Sequence, residues 1–216
     1  DVKLSDLNIR SLGISTEIGN LRPLPSTENE LVKISSLQYF RNSHVFLKEN
    51  ATEGILYKSD LLEEADIISF ATHGIVAGQL GDLEPGLAFT VGNPSDPNDN
   101  GYMSLSETLN LDLNAEMTIL SACNTGSAQS HLSPPFSGLA SAFLAAGSEK
   151  VLASHWEVED ASTAELLSLI VSARLAENSS WKAARLSAIK EFIKTFPQYN
   201  SPYYWASFSI FGTEIK

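Results

Sequence analysis

A single cysteine, Cys123, rules out an internal disulfide, and with His44 and His131 far from any second thiol no zinc-site spacing exists. Basic residues are scarce: 14 Lys and Arg stand against 26 Asp and Glu, a net charge of −12. Binders of a phosphate backbone cluster their cations, so nucleic acid is not expected as a direct partner, and a basic or neutral one is favoured. No apolar run approaches the ~18 residues that span a bilayer, and Asp1-Val2-Lys3-Leu4 lacks the regions of a signal peptide. The expectation is a cytoplasmic protein with no membrane partner. There is no initiator methionine, so the chain reads as trimmed or as a piece of a longer one, with a neighbouring domain expected. Internal repeats are lacking, as are phosphate-loop and EF-hand spacings, so no cofactor and no metal are expected. What is present suffices for a core: 43% of the 216 residues are apolar. Residues 1–216 read as a single domain, with 1–22 as an N-terminal extension.

Two strand ends organise the chain. Asp66-Ile67-Ile68-Ser69-Phe70-Ala71-Thr72-His73-Gly74 and Met117-Thr118-Ile119-Leu120-Ser121-Ala122-Cys123-Asn124-Thr125-Gly126 are apolar runs of strand length, each ending in a reactive side chain followed by glycine. If both strands belong to one parallel sheet, their carboxyl ends open on one crevice, where open α/β sheets bind ligands. An imidazole and a thiol would then face a substrate, 123 − 73 = 50 residues apart. A lone cysteine with a histidine elsewhere is a candidate nucleophile, although free cysteine is also among the most buried residue types.

Around these ends the pattern alternates strand and helix. Residues 1–25 suggest only an edge strand. Thr27-Glu28-Asn29-Glu30 has capping-box spacing before a helix that runs to about Phe40. A strand at 44–48 and a helix at 53–62 then lead to the histidine strand, a parallel βαβ unit. Residues 75–101 form a long loop broken by a hairpin arm at 86–92, and Ser104-Leu105-Ser106-Glu107 is a second capping box. After the cysteine come a helix at 138–146 stopped by Gly147, a strand at 150–154, a helix capped by Ser162, a helix capped by Ser180 and a last strand at 205–211. The same alternation could also build a flavodoxin-like binding domain.

Five ordered motifs resemble the CHAT domain family: Phe70-Ala71-Thr72-His73-Gly74, Leu120-Ser121-Ala122-Cys123-Asn124-Thr125-Gly126, the small-residue helix from Gly138 to Gly147, Val151-Leu152-Ala153-Ser154-His155-Trp156 and Pro202-Tyr203-Tyr204-Trp205-Ala206. The resemblance covers about residues 23–212, with His155 a more polar residue than expected before the tryptophan. It implies a caspase-like α/β fold, a mostly parallel sheet flanked by helices on both faces. It further implies a cysteine endopeptidase with His73 and Cys123 as the catalytic dyad, and the backbone N–H groups of Gly74 and Cys123 as the oxyanion hole. The partners implied are a protein substrate and a tetratricopeptide-repeat or other sensor domain, in cis or in trans. The alternative within the same fold is a catalytically silent interaction module in a signalling assembly.

The strand at 150–154 leads into Ser154-His155-Trp156-Glu157-Val158-Glu159-Asp160. Its three carboxylates, Glu157, Glu159 and Asp160, are candidates for the pocket that takes the residue before the scissile bond, which would then be Arg or Lys, or failing that a long uncharged side chain, and not Asp. The same acids would also favour the N-terminus of the helix that follows, by about 0.3 to 1 kcal/mol each.

Overall fold

The computed structural model describes residues 24, 26–57, 60–75, 84–121, 138–156 and 158–212, and the backbone of 6–11 and 137. In chain order its strands are β1 (Asp6–Ser11), β2 (Asn42–Phe46), β3 (Ala65–Ala71), β4 (Gly74–Ile75), β5 (Gly86–Ala88), β6 (Tyr102–Ser104), β7 (Met117–Leu120), β8 (Lys150–Ser154) and β9 (Phe208–Gly212). The α-helices are α1 (Thr27–Ser35), α2 (Gly54–Tyr57), α3 (Leu61–Glu64), α4 (Leu105–Thr108), α5 (Ser137–Ala145), α6 (Asp160–Glu177), α7 (Trp181–Thr195) and α8 (Pro202–Trp205). Among the described residues the strands form two sheets. The larger has the order β2-β1-β3-β7-β8-β9, parallel throughout except for the antiparallel β8–β9 pair. The smaller is β4-β5-β6, antiparallel.

Because successive strand residues face opposite sides, the central strands feed two apolar layers. Ile68 and Phe70 of β3, Leu120 of β7, and Val151 and Ala153 of β8 pack with Leu139, Ala140 and Phe143 of α5. Ile67 and Ala71, Met117 and Ile119, and Leu152 pack on the other face with α1, α6 and α7. That second layer contains Leu31 and Ile34 of α1, Leu166 and Ile170 of α6, and Trp181 and Phe192 of α7. The mostly parallel sheet with helices on both faces is thus the expected fold class.

Several local expectations are corrected. The N-terminal strand is not an edge: β1 lies between β2 and β3. Helix α1 ends at Ser35, and Thr27 and Glu30 make no capping box. Thr27 Oγ1 donates to Leu24 O, and the Ser26 side chain makes no cap bond. The helix expected at 53–62 is two short ones, α2 and α3. Ser162 lies inside α6 rather than capping it, donating to Glu159 O. The motif around Trp205 is helix α8, and the last strand starts at Phe208. Ser104 does form a full capping box with Glu107, and Ser180 caps α7 by accepting from Ala183 N–H.

Candidate active site

Strands β3 and β7 are neighbours, and their register sets Phe70 opposite Leu120. His73 follows Phe70 by three residues, and Cys123 follows Leu120 by three in the sequence. The pairing persists one step past the ladder, since Ser121 N–H donates to Phe70 O at 3.1 Å. Cys123 and Glu157 lie outside the described residues.

His73 occupies the turn between β3 and β4 and is buried, at 8% exposure. The small sheet holds this turn at two points. Ala88 N–H donates to His73 O at 2.9 Å, and Thr72 Oγ1 donates to Ala88 O at 2.6 Å. Residues of an antiparallel ladder alternate between bonded and non-bonded pairs. With His73 O bonded to Ala88, the Gly74–Leu87 pair is the non-bonded kind, and Gly74 N–H points away from β5.

The end of β7 is held from the opposite layer. Ser121 Oγ donates to Glu30 Oε1 at 2.6 Å, and Glu30 is only 2% exposed. Glu30 belongs to the buried face of α1 with Thr27, Leu31 and Ile34, where a polar residue breaks an apolar stripe. Burial pushes its carboxyl up to about 7, and Asp160 pushes the same way, while the Ser121 hydrogen bond opposes both. Glu30, Ser121, Asp160, Leu24 and Val158 line a cavity of about 20 Å³, room for about one water. Sequence reasoning assigned Glu30 to a cap; its signal was a carboxylate in step with Leu31 and Ile34.

Of the acids proposed for the substrate pocket, Asp160 is half-buried and lines that cavity as the first residue of α6. Glu159 is the exposed N-cap of α6 and faces the Tyr199 phenol, whose pKa is raised by burial and then by this carboxylate. His155 packs against Phe211, its Nε2 2.8 Å from Ser209 Oγ. Among the described residues no three His, Cys, Asp or Glu side chains cluster as a metal site requires. No described helix is long and apolar enough to cross a membrane.

The fold resembles solved structures. One is the Arg-specific cysteine proteinase gingipain R, with a TM-score of 0.58 at 13% identity over 97% of this chain and 46% of that one. The class this defines is the caspase-like α/β fold. The profile of the CHAT domain matches residues 13–213, and the chain belongs to that family. The match starts ahead of the motif resemblance, inside the first 20 residues. This chain spans less than half the length of the gingipain chain. No curated protein matches it.

Proposed function

We propose that this domain is a cysteine endopeptidase that cleaves a protein substrate through His73 and Cys123. The observation that carries the reading is the β3–β7 register, which aligns Phe70 with Leu120 and leaves both reactive residues three positions further on. A thiol with a pKa of about 8.5 is mostly protonated at neutral pH. The His73 imidazole takes the Cys123 proton, the thiolate attacks the scissile carbonyl, and the imidazolium returns the proton to the leaving amine as the C–N bond breaks. Water then hydrolyses the thioester, with His73 as the base. The oxyanion is met by the N–H groups of Gly74 and Cys123, and the orientation of Gly74 N–H away from β5 supports the first of these.

The residue before the scissile bond is read as Arg or Lys. Support comes from proximity: Asp160 and Ser121, the latter two residues before Cys123 in sequence, share the wall of one cavity, which at about 20 Å³ holds a water and not the basic side chain itself. Glu157 and Glu159 remain candidates for the same wall. A tetratricopeptide-repeat or other sensor domain, in cis or in trans, is the proposed controller, acting through the segments that flank the two reactive residues.

The test compares proteome-wide cleavage by wild type and Cys123→Ala, alongside labelling by an iodoacetamide-type probe. New fragments in the wild-type digest only, and fast pH-dependent labelling of Cys123, are expected. Identical digests, with labelling only on unfolding, would instead establish the silent interaction module.

A further inference from the structure

We propose that the pocket between α7 and the β8–β9 edge of the large sheet binds a small phosphate-bearing molecule, held by Lys150, Lys182 and Arg185. The site is independent of the proposed peptidase chemistry: it lies beneath the last strand of the sheet, and His73 is not among its lining residues.

The first observation is charge. A chain of net charge −12 has only 14 basic residues, yet three of them line one pocket, and no carboxylate is among its described lining residues. Lys150 does have Glu149 at 3.5 Å, but that carboxylate is 59% exposed, so water screens the pair. The field inside the pocket is therefore cationic on a protein that is otherwise acidic.

The second is an unmet donor. Arg185 Nε is buried without a hydrogen-bond partner among the described residues, in a side chain that is otherwise half-buried, an arrangement costly for a charged group. Burial also draws the guanidinium below its ordinary pKa, so the cation itself is under-solvated. A tetrahedral oxyanion in the pocket answers the under-solvated charge, since the guanidinium fork presents its donors in the geometry of a phosphate edge.

Size and shape narrow the class. The pocket encloses about 340 Å³, the lower end of small-molecule sites and more than a bare ion needs. Trp181 and Ile210 supply apolar wall, and Trp181 is held in place by its own Nε1–H bond to Glu116 at 2.8 Å. A phosphomonoester carries close to two negative charges at neutral pH, matching three cations better than a single carboxylate does.

The test uses the full chain and inorganic phosphate at constant ionic strength set with sodium chloride, read by calorimetric titration and thermal melting. Saturable binding is expected in wild type. Arg185→Gln and Lys182→Gln should each weaken it tenfold or more, and Lys194→Gln, an exposed lysine elsewhere on α7, should leave it unchanged. Because Lys182 is exposed, its variant keeps the test valid even if Arg185→Gln unfolds. No phosphate effect beyond that of chloride, equal affinity in wild type and Lys182→Gln, or acetate binding as tightly as phosphate would overturn the proposal.

Discussion

Ser121 and Glu30, 91 residues apart in sequence, are joined by a 2.6 Å hydrogen bond that ties the carboxyl end of β7 to the buried face of α1. Glu30→Ala removes the acceptor and leaves Ser121 with only a 3.4 Å approach to Phe70 O. The expected loss is about 1–3 kcal/mol of stability, measured by urea denaturation at pH 6. Glu30→Gln should lose less, because the amide oxygen still accepts. Equal stability of Glu30→Ala and wild type would show that the tie contributes nothing.

Stability should fall as pH rises through the neutral range. Burial pushes Glu30 up to about 7 and Glu53 up to about 8, the latter with help from Glu107 and Asp99. Both values exceed the unfolded value of 4.5, so the folded state holds more protons than the unfolded one in that window. Their contribution is full below about 4.5 and lost by about 8, with a slope of up to ~1.4 kcal/mol per pH unit per group. Urea midpoints at pH 5, 7 and 8.5 check the sign, and Glu30→Gln with Glu53→Gln should flatten the curve.

If the proposed dyad is right, Cys123→Ala and His73→Ala each lower kcat/KM by about 10²–10⁴-fold or more, and the double variant loses little beyond either single one. Additive losses in the double variant would separate the two side chains. Circular dichroism should show all three folded.

A positional peptide library tests the pocket. Cleavage after Arg or Lys is expected, and Asp160→Asn should reduce that preference. Cleavage after Asp, or a basic preference untouched by amide replacement of Glu157, Glu159 and Asp160, would remove these acids from the pocket wall.

Gly147, just beyond α5, has φ of +116°, and a β-carbon built there would lie 1.9 Å from Leu113 O. Gly147→Ala should therefore cost more than the ~1 kcal/mol of an ordinary left-handed position, with a matching drop in the thermal midpoint.

What the sequence revealed depended on the range of the interaction. The apolar runs around Ile67-Ile68-Ser69-Phe70 and Met117-Thr118-Ile119-Leu120 mark strands buried on both faces, so the two-layer sheet was legible. The spacing of Ser104 to Glu107 and the position of Ser180 gave correct caps because each bond closes within three residues. The same spacing in Thr27 to Glu30 misled, since three residues also separate neighbours on a helix face, and so did the cap placed at Ser162. Glu30 instead turns to a strand 91 positions away. The central place of β1 is not legible because pairing on both sides is made by backbone, which leaves no side-chain signature. The histidine at its strand end was visible; the carboxylate behind Ser121 could be found only once α1 was seated on the sheet.

The histidine turn belongs to two sheets at once, with β3 entering from the large one and β4 leaving in the small one, where Thr72 and His73 are fastened to Ala88. The end of β7 is fastened to α1 on the opposite side. The turn of His73 and the end of β7 at Ser121 therefore have separate moorings, and under the proposed dyad the spacing of the two reactive residues would be a tolerance set by how two layers seat against one another. The proposed sensor domain, gripping only the small sheet, would then adjust that gap without touching either reactive group.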